Sequence, residues 1–229
     1  MRLIEQDEKL TVSNIDSSRI CEEVSRHGKL FPNTVRALII GPSGCGKTNL
    51  VFSMLTHENG IKFENVYIYS KTLHQAKYVM LEEILKQVDG VNLFKFHDND
   101  TVIQPEKALS NSVFIFDDVI CENQNIIRSY FSRSRHKSID VLYLAQSYSR
   151  VPKQLIRDNA NFIVLFKQDE MNLRHAYDEH CSGDVRYSEF KDFCQTCWQR
   201  GQYEFVVISK ENGAADGRFR FGFDTYVII

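Results

Sequence analysis

The chain lacks several features at once, and each absence removes a class of protein. No apolar run within its 229 residues approaches the roughly 20 needed to cross a bilayer, so no membrane span is expected. The opening residues, Met1-Arg2-Leu3-Ile4-Glu5-Gln6-Asp7-Glu8, have neither the basic start nor the apolar stretch of a secretion leader, and secretion is not expected. Six cysteines in a chain this long make no disulfide framework and suit a reducing compartment. A net charge of −2 supplies no global basic field, so contact with nucleic acid would fall to local basic loops. Repeats, low-complexity stretches and linkers are missing too. One domain over residues 1–229 follows, long enough to bury a core without staples.

What is present begins with a loop. Gly41-Pro42-Ser43-Gly44-Cys45-Gly46-Lys47-Thr48 matches G-x-x-x-x-G-K-[ST], and Asn49 follows it. Gly41, Gly44 and Gly46 permit a tight turn whose backbone N–H groups converge on phosphate oxygens. Lys47 reaches the β- and γ-phosphates as a point charge, and the Thr48 hydroxyl ligates Mg²⁺. Before the loop, Val35 to Ile40 reads as a buried strand. After it, Leu50, Val51, Met54 and Leu55 fall at helical spacing. The loop is therefore expected between a strand and a helix N-terminus, where the dipole favours an anion. The cofactors implied are ATP and Mg²⁺.

Strand and helix then alternate. Strands are expected at Asn65–Ser70, Val91–His97, Ser112–Asp117, Asp140–Ala145 and Phe162–Phe166, and helices at Leu73–Val88 and Glu122–Ser134. The chain turns helical beyond Met171. It then returns to β, with Glu204–Ser209 and Arg218–Phe223 forming a hairpin or edge addition around Asn212-Gly213 and Asp216-Gly217. The fold class expected is α/β: a mostly parallel sheet of the P-loop NTPase kind, helices on both faces, with a C-terminal β addition.

The strand Val113-Phe114-Ile115-Phe116 ends in Asp117-Asp118. A phosphate-loop ATPase needs two acids there. Asp117 would hold Mg²⁺ through its water shell, and Asp118 would orient and polarise the attacking water. The second acid argues against a small-molecule kinase, which has no use for a water-activating carboxylate. Val141 to Ala145 is a further strand, ending at Gln146, a candidate to sense the γ-phosphate or position water. Arg128, Arg133, Arg135, His136 and Lys137 cluster just upstream. They read as a solvated helix end, a DNA-contacting patch or an arginine finger, and the spacing before the Gln146 strand favours a finger at Arg135.

These motifs together resemble the FtsK–HerA class of DNA-pumping ATPases, within the wider RecA-like group that carries an extra sheet strand. Within that class the match is nearest to the genome-packaging ATPases of large double-stranded DNA viruses, virophages and Polinton-type elements. Tyr67 to Gln75, Arg133-Ser134-Arg135-His136 and Ile156-Arg157-Asp158-Asn159-Ala160 carry the resemblance beyond the generic motifs. It spans about Phe31 to Ser209, leaving residues 1–30 and 210–229 as extensions. The resemblance implies an ATP-driven translocase that packages viral double-stranded DNA, built as a ring of five or six subunits and docked on capsid protein. It would work in the host cytoplasm or nucleus where virions assemble, or within the virion. Arg135 or its neighbour Arg133 would serve the next subunit's nucleotide, and Arg157 is a candidate for interface or phosphate sensing. Asp118 stands where the wider class commonly has Glu, a shorter reach to water. Two other functions stay open: another translocase or helicase of this class, for segregation or conjugation, and a switch whose nucleotide state regulates a partner. His180, Cys181, Cys194 and Cys197 could also supply zinc ligands, although their spacing forms no second knuckle.

Overall fold

A computed structural model describes residues 25–229; the extension read over residues 1–30 lies outside it as far as residue 24. Five long apolar segments set the centre. Strands β1 (Arg36–Ile40), β2 (Asn65–Ser70), β4 (Ser112–Asp117), β5 (Ile139–Ala145) and β6 (Phe162–Phe166) are buried almost end to end. Near-continuous apolar runs of this kind belong in a parallel sheet covered on both faces. β3 (Asn92–Phe96) is more exposed and forms one edge. The full order is β3-β2-β4-β5-β1-β6, extended by β7 (Phe205–Ser209), β8 (Phe219–Phe221) and β9 (Thr225–Val227). The first six strands are parallel and the last three antiparallel.

Because successive side chains point to opposite faces, each strand feeds two cores. Ala37, Ile39, Ile68, Ile115, Leu144 and Val164 face helices α1 (Lys47–Thr56) and α2 (Ala76–Leu85). Leu38, Ile40, Tyr69, Phe116, Tyr143 and Leu165 face the other side. There α3 (Asn125–Arg133), α4 (Glu170–His180) and α5 (Tyr187–Trp198) cover them, with Ile127, Tyr130 and Phe131 of α3 fully buried.

Both helices expected between the strands are shorter than the spans Leu73–Val88 and Glu122–Ser134 read for them. α2 begins at Ala76 because the Ser70 hydroxyl accepts from the Thr72 N–H and Gln75 N–H bonds to the Thr72 carbonyl, a turn that competes with helix. α3 begins at Asn125 because the Gln124 side chain ties back to the Val119 and Glu122 carbonyls. The C-terminal β addition is present and runs to three strands. Arg220 locks it down from a fully buried position, donating to the carbonyls of Gly217 at 2.6 Å and Leu30 at 2.7 Å.

At the start of β5 a buried acid does the same work. Asp140 accepts from the Val35 N–H at 2.7 Å and pairs with Arg26 at 3.1 Å. It also meets His27 Nε2, while the Lys62 N–H donates to Nδ1 of that ring. The acceptor role of Nδ1 leaves the proton on Nε2, pointing at the carboxylate. These contacts fix the register of β5 against β1, where Ile40 lies opposite Ala145.

Candidate active site

The C-terminal ends of β1, β5 and β4 lie side by side, and the site is built on them. Gly41 N–H donates to the Ala145 carbonyl at 3.1 Å, and Asp117 lies opposite Leu144. The loop leaving β1 has room for no side chain at its first glycine: a Cβ on Gly41 would stand 2.5 Å from Cys45 Sγ and 2.7 Å from Phe166 Cβ. Gly46, at φ +107°, caps α1 in a conformation that L residues rarely adopt. No side chain caps the helix, so its first-turn N–H groups are open to an anion. Lys47 folds over this mouth, its Nζ donating to the carbonyls of Gly41 at 2.5 Å and Pro42 at 3.0 Å.

A cleft of about 490 Å³ opens beside the loop. Ser43, Gly44, Gly46, Lys47 and Thr48 form one wall, and Asp117, Asp118 and Gln146 face them. Four residues expected at the phosphates stand back from the lining: Gly41 is buried in the turn, Pro42 and Cys45 support it, and Asn49 is exposed on the outer side of α1.

The two acids sit in different surroundings. Asp117 is half-buried and accepts a hydrogen bond from the Tyr78 hydroxyl of α2. Burial pushes its carboxyl above the ordinary range, the Tyr78 bond pulls it back, the Asp118 charge raises it again and Lys47 lowers it. Asp118 is exposed and held at φ +56°, in the left-handed region that Asp and Asn tolerate best. This turn swings its carboxylate out of the strand direction and into the cleft.

The arginines are placed elsewhere. Arg135 lies in the 3₁₀ turn Ser134–Lys137 that enters β5, close enough to Arg36 at the start of β1 for their charges to repel. The cleft is at the far end of the same strands, roughly 20 Å away over the seven residues of β5. Arg135 is exposed and has no ion-pair partner among the described residues, whereas Arg133 is paired with Glu106 at 2.9 Å. Arg157 is also committed, bridging to Glu179 at 2.9 Å and lying over the Tyr148 ring.

The cysteine-rich corner holds no metal site. Among the described residues no three His, Cys, Asp or Glu side chains gather to hold an ion. Cys181, Cys194 and Cys197 are buried, which pushes their thiols up, to about 12 for Cys181 and about 11 for Cys197. Cys197 donates to the Phe205 carbonyl and His180 Nε2 meets the Tyr148 hydroxyl. They are core residues.

Sequence reasoning missed Arg150, Lys77, Thr72 and Gln75, all on the cleft wall. Arg150 ends a 3₁₀ turn four residues beyond Gln146, and its place directly after the strand that delivers Gln146 was the available signal. Tyr78 gave no signal, since an aromatic on an apolar helix stripe reads as core.

The glycine loop between β1 and α1, the inserted parallel β5 and the paired acids on β4 define a P-loop NTPase fold. No protein-family model and no curated protein sequence matches the chain. Solved structures do. The genome-packaging NTPase B204 of Sulfolobus turreted icosahedral virus 2, in complex with sulfate, superposes with a TM-score of 0.56 at 14% identity, covering 82% of this chain and 96% of that one. Its complex with ATP-gammaS gives 0.54 at 14% over the same shares. The DNA-packaging ATPase B204 of Sulfolobus turreted icosahedral virus gives 0.53 at 13%, over 81% and 95%. At these identities the likeness establishes the fold.

Proposed function

We propose that this protein is a Mg²⁺-dependent ATPase that drives double-stranded DNA into a viral capsid. The observation that carries the proposal is the convergence of Lys47, Thr48, Asp117, Asp118 and Gln146 on one cleft while Arg135, exposed and without an ion-pair partner among the described residues, stands at the opposite end of the sheet. The loop backbone and Lys47 hold the β- and γ-phosphates. Thr48 and Asp117, on facing walls, would hold Mg²⁺, which when bound neutralises charge on the β- and γ-oxygens. Asp118 accepts the proton of the attacking water as it adds in line to the γ-phosphorus, and Gln146 orients that water or reports the phosphate. Breaking the bond to the β-phosphate bridging oxygen yields ADP and phosphate.

A finger acting within its own subunit would have to cross the length of β5. Arg135 therefore serves the nucleotide of a neighbouring copy, in a ring of five or six subunits around the duplex, with Arg133 the alternative. Capsid protein is the docking partner, and the site of virion assembly is the place of action. The solved relatives support this reading through what they are, genome-packaging NTPases that bind ATP analogues.

The experiment is ATP turnover with and without duplex DNA. Turnover that rises several-fold with duplex supports the motor. Turnover indifferent to DNA, with partner binding gated by ATP against ADP, supports a regulatory switch instead.

A further inference from the structure

The acids and Gln146 all lie on the β4–β5 side of the phosphate loop. If the γ end of a nucleotide is fixed there, its α-phosphate, sugar and base leave the loop on the other side, towards β6 and β7. The chain presents an aromatic ring at that exit. Tyr203, in the turn leading into β7, is 59% exposed. Its Cδ1 lies 3.5 Å from where a Cβ on Gly46 would stand, with Phe166 ring atoms at 3.7 and 4.0 Å from the same point. Among the described residues its hydroxyl has no hydrogen-bond partner.

The strand end beside the ring is firmly packed. Phe166 is buried at the end of β6 and packs on Phe205 with centroids 5.4 Å apart. Trp198 donates its indole N–H to the Leu165 carbonyl at 3.1 Å, pinning α5 to the same strand end. A large exposed aromatic beside a phosphate loop, next to a firmly packed strand end, offers a π-face.

We propose that Tyr203 is the nucleobase platform of this site, on which the base of a nucleoside triphosphate stacks. The proposal rests on the nucleotide reading above. Stacking is tolerant of base identity because every base has a π-face, so the platform recognises that a base is present more than which base it is.

The test compares ATP with inorganic tripolyphosphate, which has the phosphates and no base, by calorimetric titration of the full chain. Tyr203→Ala is expected to weaken ATP about five- to a hundredfold while leaving tripolyphosphate unchanged. Tyr203→Phe, which keeps the ring, is expected to bind ATP as the wild type does. Equal losses for both ligands would make Tyr203 a support of the loop and overturn the platform. So would unchanged ATP affinity, including the case where Tyr203→Ala alters only the size of the assembly. Wild-type protein that binds neither ligand would overturn the nucleotide reading itself, and the platform with it.

Discussion

The Tyr78 hydroxyl reaches across from α2 to donate a hydrogen bond to the Asp117 carboxylate at the end of β4. The two residues belong to neighbouring layers, one on a helix and one on the sheet. Tyr78 is buried, so its hydroxyl has few other places to go, and burial beside Asp117 raises its own pKa well beyond the phenol range. It stays a donor at every working pH. The bond engages one face of Asp117, leaving the rest of the carboxylate for the cleft.

Tyr78→Phe removes that donor and keeps the ring. Partners that orient a metal's carboxylate typically contribute about tenfold or more to metal affinity. The Mg²⁺ concentration giving half-maximal turnover is therefore expected to rise about tenfold, with thermal stability changed little. A Mg²⁺ titration of turnover checks this, and an unchanged midpoint would reduce Tyr78 to a packing residue.

Lys47→Ala and Asp118→Asn separate binding from chemistry. Lys47→Ala loses the charge over the β- and γ-phosphates, and turnover is expected to fall by about a thousandfold or more. Asn accepts the left-handed backbone at position 118 as readily as Asp, so Asp118→Asn keeps the turn and loses only the proton acceptor. It is expected to bind ATP normally and turn it over at least about a hundredfold more slowly. Normal turnover per bound ATP in that variant would remove Asp118 from the water-activating role.

Arg135→Ala tests action between subunits. The variant keeps its own loop and acids, so nucleotide affinity is expected to hold while turnover drops by about a thousandfold. Mixed with Lys47→Ala subunits it should regain part of the activity, because one copy supplies the loop and the other the arginine. Absence of rescue would place the arginine on DNA instead. Loss at Arg133→Ala with Arg135→Ala active would move the finger to the residue now paired with Glu106.

His180 gives a pH prediction. Tyr148 lies 2.8 Å from the Glu179 carboxylate and 2.7 Å from His180 Nε2, so its hydroxyl proton goes to Glu179 and Nε2–H donates to the tyrosine oxygen. Nδ1 has no partner. Burial first, then the charges of Lys210, Arg157 and Arg218, lowers this imidazole to about 3. A histidine depressed on folding contributes stability that is present above its unfolded pKa near 6.5 and lost as pH falls towards the folded value. Stability is expected to decline by up to a few kcal/mol between pH 6.5 and 3 from this residue alone. Urea midpoints across that range should slope less in His180→Gln; parallel slopes would rule the residue out.

Much of this was legible in the chain because its signals are local. The loop between β1 and α1 is a contiguous string, and Asp117-Asp118 ends a strand whose burial is written in its apolar run. What was not legible depends on contacts far apart in sequence. Tyr78 meets Asp117 through the packing of α2 on the sheet, and Asp140 gathers Arg26, His27 and Val35 over more than a hundred residues. Helix ends slipped for a local reason, since polar side chains at Ser70 and Gln124 capture backbone groups that periodicity alone assigns to the helix. The cysteine corner stayed open to a zinc reading because spacing says nothing of burial, and burial is what leaves those thiols protonated.

β5, wedged between the loop strand and the acid strand, works as a gauge. It is hydrogen-bonded on both sides along its length, with Ala145 against Ile40 and Leu144 against Asp117, so it cannot slip against one neighbour without breaking with the other. Its width, two strand spacings of about 4.8 Å, sets the span from phosphate grip to acid. Gln146, at its tip, sits at a fixed mark on that scale. The same strand begins beside Arg135, so a single stiff element runs from that arginine at one end of the sheet to the phosphate-loop cleft at the other.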